Sequence, residues 1–547
     1  MVTRRSQSTF LGAGALLFVA ALATSDDARD ARVDALFEKW ERADSPGCAL
    51  GVVEDGQLVY KRGYGMANLE HDIRISETSV FRMGSVSKQF AAFAILLAER
   101  QGSLSLDDDI RKYLPELPER ENIITIRHLI HHTSGMRDYV TLTDLSGYRP
   151  EDFFTEADVV EALAAQERSN FEPGEEYLYS NSGYFLLSEV IPRATGLSLK
   201  AFSEKYIFEP LKMGDTHFHD DFRHVVKNRA AGYRPLEAGG FETHMTTLNM
   251  VGDGGIYTTI EDLLLWDRNF YTGEVGSEEI RKGRLVTGRL NDRTEQDYAF
   301  GLVISRYRGL ATVSHGGSWV GFRTAMLQFP EQRFSTYVLC NVSTAAPTRL
   351  ARRVADIYLE DAFTVAANAE PEGAVALSES ELRPFEGVYW NEETGGLAEL
   401  AVEDGALVRQ ETEQKLTPLG GGRFATSEEG VRTEVEIDGA TMTVRSPGQR
   451  VFHYERVSSV TPSLAELSRR VGVYRCRELD VTYRIELDDE NRLVMVGPAR
   501  RSVLEPVFEN GFRWEWGSVL FTRDRQGAVT GFELASGRAR NFIFLRE

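Results

Sequence analysis

The sequence predicts a protein of several domains: a mixed α and β domain first, then two small all-β domains. Its 547 residues exceed what one hydrophobic core usually organises. Within residues 28–365, strand-like runs stand at both ends and mainly helical sequence lies between them. After residue 380, short alternating runs are separated by Gly, Asp and Asn turns, which is typical of small all-β units.

The first domain is predicted from its apolar runs and its turn residues. The expected strands are residues 48–53, 58–60, 311–313, 322–329 and 334–340. The expected helices that frame the domain are residues 85–100 and 348–359. Because strands come from both ends of the region, the pattern indicates one sheet assembled from both ends with a helical insertion between them.

The C-terminal part contains a weak internal repeat. Residues 366–380 are rich in Ala, Glu and Gly and are predicted to be a linker. Residues 381–459 and 464–547 each begin with a short segment ending in Gly-Val-Tyr and each close with an aromatic strand. We therefore predict two barrel-like domains of about 80 residues each. A single β-sandwich is the alternative.

The first 23 residues are predicted to be a secretory signal peptide. Arg4 and Arg5 precede an apolar run, and Ala21 and Ala23 form an A-x-A cleavage site. The run is too short to span a bilayer, with an uncleaved anchor as the alternative. We expect an exported protein, periplasmic or extracellular, with no integral membrane segment after cleavage.

Charge and cysteine content narrow the function classes. A net charge of −21 disfavours nucleic acid or an anionic membrane as a partner. The three cysteines, Cys48, Cys340 and Cys476, form no C-x-x-C pair, which excludes a zinc ribbon or a thioredoxin-like site. Cys48 and Cys340 lie in strand-like runs and could pair in an oxidising compartment. We favour the alternative, unpaired core residues, because that is what strand cysteines usually are.

Ser85 and Lys88 form an S-x-x-K motif at the start of a predicted helix. A spacing of three residues places both side chains on one face of the helix, and Ser85 then lies in the positive field of the helix N-terminus. A serine hydroxyl needs a neighbour that takes its proton. A lysine can do so only if burial or nearby positive charge lowers its pKa, and the apolar sequence around Lys88 makes burial the expectation.

Tyr179-Ser180-Asn181 is the second candidate element. A Pro173-Gly174 turn precedes it and can present the tyrosine from a loop. The Tyr179 hydroxyl can relay a proton to a leaving group, and the Asn181 amide can hold both Lys88 and a substrate carbonyl. The alternative is a buried tyrosine whose hydroxyl the fold itself satisfies.

His315-Gly316-Gly317-Ser318 is the third candidate element and follows a strand-like run. A glycine such as Gly317 on an edge strand lets a substrate backbone approach closely. The backbone N–H groups of Ser85 and Ser318 are candidates for an oxyanion hole. The alternative is a glycine-rich turn with a surface histidine.

In this order the three elements resemble the active-site motifs of serine β-lactamases and penicillin-binding proteins: S-x-x-K, then Y-x-N, then H-x-G in place of K-T-G. Residues 126–135 and 252–257 resemble the same family, and the resemblance covers roughly residues 35–360. Because its second motif carries a tyrosine, the sequence resembles the class C branch of this family and the esterase and peptidase relatives of that branch. The resemblance implies an antiparallel sheet flanked by helices plus a helical subdomain, with the site between them.

A domain of this kind followed by two barrels resembles the bacterial D-aminopeptidases. Arg137-Asp138-Tyr139, Glu478-Leu479-Asp480 and the turn at residues 523–527 resemble segments of those enzymes. In that family a loop of the last barrel reaches into the active site and helps to recognise the substrate amine. The corresponding region here, residues 514–519, is short, which departs from the family pattern.

No cofactor is expected, because the sequence contains neither a phosphate loop nor a dinucleotide fingerprint. His128, His131 and His132 have helical spacing that zinc could use, but no H-E-x-x-H motif is present and we expect no metal. The absence of G-x-S-x-G argues against the α/β-hydrolase fold.

The sequence therefore predicts a serine hydrolase that works through a covalent acyl-enzyme. Neutral Lys88, aided by Tyr179, takes the Ser85 proton, while the substrate or the oxyanion is bound by Asn181, His315, Gly317 and Ser318. With an ordinary pKa of about 6.5, His315 is mostly neutral at pH 7 and attracts a substrate carboxylate less than a lysine would. This favours an aminopeptidase, amidase or esterase over a β-lactamase or a strict carboxypeptidase.

The best single expectation is an aminopeptidase or amidase that acts on small peptides containing D-amino acids. The enzymatic alternatives are a carboxylesterase and a D-Ala-D-Ala carboxypeptidase or β-lactamase-like enzyme. The non-enzymatic alternative is a protein that only captures penicillins or cell-wall fragments. The expected partner is a small peptide or ester substrate, with a homodimer left open.

Overall fold

The computed structural model describes residues 25–149, 151–366, 371–428 and 431–547. It consists of a sheet covered by helices and two closed eight-stranded barrels, all built from antiparallel strand pairs, which confirms the predicted fold class. The alternative of a single C-terminal sandwich is wrong. The predicted signal peptide, residues 1–23, lies outside the described residues. The first helix begins just after it.

The central sheet draws its strands from both ends of the first domain. The strands of this domain are β1 (Cys48–Glu54), β2 (Gln57–Tyr64), β3 (Met66–Asn68), β4 (Ile73–Arg74), β5 (Phe81–Arg82), β6 (His217–Phe218), β7 (Tyr233–Pro235), β8 (Phe241–Thr243), β9 (Ile256–Thr258), β10 (Val303–Tyr307), β11 (Leu310–Trp319), β12 (Phe322–Phe329) and β13 (Phe334–Cys340). Six of them form the sheet in the order β10-β11-β12-β13-β1-β2, so the expected assembly from two distant segments is present.

Helices cover the sheet and fill the insertion. They are α1 (Ser25–Phe37), α2 (Lys88–Arg100), α3 (Ile126–Ile130), α4 (Tyr139–Leu145), α5 (Glu156–Ala164), α6 (Asn181–Thr195), α7 (Leu199–Ser203), α8 (Glu209–Leu211), α9 (Ile260–Thr272), α10 (Ser277–Gly283) and α11 (Pro347–Tyr358). Within the described part of the chain, no helix combines the length and apolarity needed to cross a membrane.

Both faces of β1 are buried, which explains its nearly continuous apolar run. Leu50 and Val52 pack under α1 and α11, whereas Ala49 and Val53 face the larger core that contains α2 and α9. Alternate residues of a strand point to opposite faces, so a strand buried on both sides carries no polar alternation.

Cys48 and Cys340 form a disulfide, so the favoured interpretation of two unpaired cysteines was wrong. The two residues are direct partners across the antiparallel pair β1 and β13. That register depends on strand pairing over nearly three hundred residues of sequence, which the apolar runs alone do not specify. Cys476 is free and buried.

The two barrels repeat one topology. The first is formed by β14 (Gly387–Asn391), β15 (Gly396–Glu403), β16 (Ala406–Arg409), β17 (Gln414–Gly420), β18 (Arg423–Glu428), β19 (Val431–Asp438), β20 (Thr441–Arg445) and β21 (Phe452–Val457), with α12 (Glu379–Leu382) before it. The last is formed, after α13 (Leu464–Ser468), by β22 (Gly472–Cys476), β23 (Val481–Leu487), β24 (Leu493–Val496), β25 (Arg501–Phe508), β26 (Gly511–Trp514), β27 (Gly517–Arg523), β28 (Val529–Ser536) and β29 (Ala539–Arg546). In each barrel the Gly-Val-Tyr strand pairs with the aromatic closing strand.

Candidate active site

Ser85 lies on a tight 3₁₀ turn, Gly84–Ser87, that leads directly into α2. The turn packs against β11 where two glycines permit the approach. A Cβ on Gly317 would lie 2.0 Å from the Met83 carbonyl oxygen, and a Cβ on Gly84 would lie 2.8 Å from the Ser318 nitrogen. Gly84 also has a φ of +53°, which a glycine adopts without strain. Gly317 is therefore needed for the close packing of β11 on the serine turn.

Lys88 is completely buried beside Ser85. Its Nζ lies 3.1 Å from Ser85 Oγ, 2.9 Å from Asn181 Oδ1 and 2.7 Å from the Asp253 carbonyl oxygen. The structure thus brings together Ser85, Lys88 and Asn181 from two of the three sequence elements.

The partners of Lys88 fix the direction of its lone pair. A neutral amine has two N–H bonds and one lone pair, and Asn181 Oδ1 and the Asp253 carbonyl can only accept hydrogen bonds. Both N–H bonds are therefore used on these two oxygens, and the lone pair is left for the Ser85 hydroxyl, which can donate. Burial lowers the pKa of Lys88 to about 7, against the opposing attraction of the Asp253 carboxylate. A large fraction of Lys88 can thus act as a base near neutral pH.

Asp253 is a site residue that the sequence interpretation missed. Its Oδ2 accepts a hydrogen bond from the Tyr139 hydroxyl at 3.0 Å, and its Oδ1 is buried with no partner among the described residues. Burial raises the pKa of this carboxyl, while Lys88 counteracts the increase. The only signal in the sequence is the glycine-rich stretch around it, residues 252–255, which resembles the family but does not by itself mark Asp253 as a site residue.

The Tyr179 ring covers Lys88, with the ammonium nitrogen 4.8 Å from the ring centre. Its hydroxyl is buried near the Ser85 hydroxyl and makes no well-formed hydrogen bond among the described residues. Burial raises the pKa of Tyr179 well above its ordinary value, against a smaller lowering by the Ser85 hydroxyl, so the phenol stays protonated near neutral pH. Tyr179 is therefore suited to donate a proton or a hydrogen bond, and Lys88 is the better base for Ser85.

His315 is buried on β11, and both of its ring nitrogens are used by the protein. Its Nδ1 lies 2.6 Å from the Gly316 carbonyl oxygen, and its Nε2 lies 3.0 Å from the Tyr298 hydroxyl. Since a carbonyl only accepts, Nδ1 carries the hydrogen and Nε2 accepts from Tyr298. Burial lowers the pKa of His315 to about 4, so the imidazole is neutral at pH 7, as expected from the sequence.

The segment from His315 to Trp319 borders the site as a partly free strand edge. β10 pairs with β11 only up to Ser314, whereas β12 pairs with it as far as Trp319. One edge of Gly316–Ser318 is thus open toward the cavity beside Ser85. Backbone N–H groups on such an edge can bind an extended substrate or a developing oxyanion.

The active-site cavity, the space of about 940 Å³ beside Ser85, receives residues from the last barrel. The turn between β26 and β27 has only two residues, as the short region at 514–519 indicated, yet Trp516 in that turn lines the cavity. The neighbouring turn between β28 and β29 brings the Arg538 guanidinium to 4.6 Å from the Tyr179 ring centre. The last barrel therefore forms part of the cavity wall despite the short loop.

Arg137 fastens the last barrel to the catalytic domain. This arginine is 1% exposed. Its guanidinium donates to the Arg540 and Asn541 carbonyls at 2.9 Å each and pairs with Glu478 at 2.8 Å. The two following residues point into the active site: Asp138 accepts from the Asn181 N–H at 2.6 Å, and Tyr139 binds Asp253. The tripeptide Arg137-Asp138-Tyr139 therefore connects the barrel interface to the two residues that hydrogen-bond Lys88.

The active-site cavity carries more positive than negative side chains, although the protein as a whole is acidic. Its lining includes four arginines and three aspartates: Arg82, Arg323, Arg500, Arg538, Asp138, Asp144 and Asp253. The weak attraction for a carboxylate that was inferred from a neutral His315 is thus offset by arginines from other elements.

The three histidines that could have suggested zinc have separate hydrogen-bond partners. His128 accepts from the Thr125 N–H, His131 bonds the Tyr298 carbonyl, and His132 accepts from the Ser180 N–H. Within residues 25–149, 151–366, 371–428 and 431–547, no group of three or more His, Cys, Asp or Glu side chains is placed to hold a metal ion.

Comparisons with known proteins agree with this geometry. The family profile named Beta-lactamase matches residues 33–359, which is more than half of the chain. The chain belongs to the β-lactamase family. It is similar to a D-aminopeptidase of Gluconobacter oxydans, at 27% identity over 80% of this chain and 81% of the relative. A D-aminopeptidase of Cereibacter sphaeroides is also 27% identical, over 95% of this chain and 99% of the relative.

A solved structure shares the fold of this protein. The octameric penicillin-binding protein homologue from Pyrococcus abyssi has a TM-score of 0.56 and 22% identity, covering 79% of this chain and all of that chain. Family membership and the site geometry together make this protein a serine hydrolase of the β-lactamase type, with an architecture like that of D-aminopeptidases.

Proposed function

We propose that this hydrolase cleaves amide bonds that follow a D-amino acid, through an acyl-enzyme on Ser85. The observation that carries the proposal is the position of a fully buried Lys88 whose lone pair faces Ser85 Oγ at 3.1 Å. The similarity to D-aminopeptidases over nearly the whole chain supports the substrate class.

Acylation begins when Lys88 takes the Ser85 proton and Oγ attacks the substrate carbonyl. The backbone N–H groups of Ser85 and Ser318 stabilise the oxyanion of the tetrahedral intermediate. The Nδ2 group of Asn181 has no hydrogen-bond partner among the described residues and is available to the substrate, because its Oδ1 is held by Lys88. The base contributes roughly 10²–10⁴-fold to the rate.

Collapse of the intermediate needs a proton on the leaving nitrogen. Tyr179 is placed to deliver it, since its buried phenol is protonated and its hydroxyl makes no well-formed hydrogen bond among the described residues. The proton that Lys88 took from Ser85 then restores the Tyr179 phenol, so that both groups return to their starting states. A water molecule hydrolyses the acyl-enzyme with Lys88 again as base.

A second candidate is a peptidase that releases a C-terminal D-amino acid. One observation favours it: the arginines of the active-site cavity can bind a substrate carboxylate. A peptide with an acetylated N-terminus separates the two candidates, because only the carboxypeptidase would cleave it.

Export is proposed on two grounds. The N-terminal sequence has the features of a signal peptide, and the Cys48–Cys340 disulfide fits an oxidising compartment. Fractionation of cells producing the full chain and a chain without residues 1–23 tests it. The homodimer stays a prediction, which light scattering would test.

The deciding experiment is hydrolysis of the p-nitroanilides of D-alanine and L-alanine, with Ser85→Ala as control. We expect p-nitroaniline from the D form only and none from the variant. Release from both forms would contradict D-specificity. If only the corresponding ester is cleaved, the enzyme is a carboxylesterase.

A further inference from the structure

A second cavity, larger than the active-site cavity, lies where the three domains meet. We call it the inter-barrel cavity; its volume is about 1130 Å³. The catalytic domain contributes residues 176–179, the first barrel contributes residues around 394–397 and 449–454, and the last barrel contributes residues around 501–505 and 513–517.

The two cavities adjoin. Tyr179, Trp516 and Gly537 line both of them. Trp516 is 37% exposed, and Arg500 holds its ring, with the guanidinium 3.6 Å from the ring centre. A ligand chain that passes these residues therefore leads from the serine into the space between the barrels.

The position of Tyr179 indicates which part of a substrate would enter. In the proposed reaction Tyr179 protonates the leaving nitrogen, so the leaving group lies on its side of the scissile bond. The inter-barrel cavity begins at the same residue. We propose, on the basis of the proposed function, that the inter-barrel cavity binds the leaving part of an oligopeptide substrate, several residues beyond the scissile bond.

The lining suits a peptide chain. Trp516 offers an exposed ring that packs edge-on against the buried Trp514, with ring centres 5.3 Å apart, and Tyr454 adds another ring to the lining. All three arginines of the lining are ion-paired: Arg501 with Glu486, Arg513 with Glu399, and Arg540 with the buried Glu176. Aromatic faces with a few polar groups bind peptide backbones and side chains and need no charge on the ligand.

The test compares a short with a long leaving group at constant charge: D-alaninamide and D-alanyl-tetraglycine amide. Binding energy from remote parts of a substrate can lower the barrier at the reacting centre. We expect kcat/KM of the wild-type protein to be at least about 10-fold higher for the long substrate.

Two variants place a large ring in the inter-barrel cavity, far from the serine: Gln449→Trp and Gln410→Trp, both at lining positions of the first barrel. We expect each to lose the advantage of the long substrate and to hydrolyse D-alaninamide at the wild-type rate. Gln526→Trp is the matched control, since Gln526 is exposed on a turn of the last barrel outside both cavities, and it should keep the advantage.

The outcomes are distinct. If the wild-type protein hydrolyses D-alaninamide and the long substrate equally well, the inference is overturned and the proposed function stands. An advantage that persists in both cavity variants also overturns it. If no D-substrate is hydrolysed, the proposed function fails and the inference fails with it.

Discussion

The two C-terminal barrels share one topology but attach to the rest of the protein differently. The last barrel's core, with Tyr474 and Phe532, is continuous with the apolar core of the catalytic domain. The first barrel has a core of its own around Tyr389 and Phe424. It contacts the last barrel through Ser518 Oγ, which donates to the Gly395 carbonyl at 2.7 Å, and through Trp390 against Phe508.

The difference also appears in the charged contacts. Arg137 inserts a fully buried guanidinium into the last barrel. The first barrel reaches the catalytic domain through Arg450, which pairs with Glu176 at 3.1 Å, but Glu176 also pairs with Arg540 of the last barrel. We infer that the last barrel is part of the catalytic unit, whereas the first barrel acts mainly as a wall of the inter-barrel cavity.

The largest effect on stability is expected from Arg137→Met. The substitution leaves the Glu478 carboxylate, whose side chain is 8% exposed, without its partner and removes donors from two barrel carbonyls. Loss of one partner of a buried pair costs about 3–5 kcal/mol. We expect a fall of that size in the free energy of unfolding, measured by urea denaturation, and loss of most activity.

Arg450→Met is the matched change in the first barrel. Since Glu176 keeps Arg540 as a partner, the expected cost is only about 1–2 kcal/mol. Equal destabilisation by the two substitutions would contradict the distinction between the barrels.

A smaller effect is expected on the pH dependence of kcat/KM when one arginine of each barrel is replaced by glutamine. The positive charge of Arg538 helps to lower the pKa of Lys88. Arg538→Gln therefore raises that pKa, and the acid limb of the kcat/KM profile moves to higher pH by roughly half a pH unit. Arg445→Gln, on an exposed ion pair of the first barrel, should leave the limb unmoved. A shift to lower pH with Arg538→Gln would show that the sign is wrong.

The smallest expected effect is on thiol reactivity in the native protein, where Cys476 of the last barrel is the free cysteine. Burial raises its pKa to about 11, so we expect no reaction of the native protein with a thiol reagent at pH 8. Denaturation without reductant should expose one thiol, and denaturation with reductant three. Three thiols without reductant would contradict the Cys48–Cys340 disulfide.

Much of the fold could be predicted because local patterns determine it. The apolar run of β1, the helix after Ser85 and the repeated Gly-Val-Tyr segments all occur as expected. Ser85 and Lys88 could be placed together because a helix fixes their spacing. Asp253, Trp516 and Arg538 could not, because they reach the site through packing between distant segments. The disulfide was missed for the same reason, since it depends on the register of β1 with β13.

The central claim is that neutral Lys88 activates Ser85, and the pH dependence of kcat/KM for D-alanine p-nitroanilide tests it most directly. Lys88 is a base only after it loses its proton, so activity should be low at acid pH and rise through an inflection near the lowered pKa of about 7. Lys88→Ala should abolish the activity as thoroughly as Ser85→Ala does. A wild-type profile that stays flat well below neutral pH, or turnover of Lys88→Ala at the wild-type rate, would contradict the account.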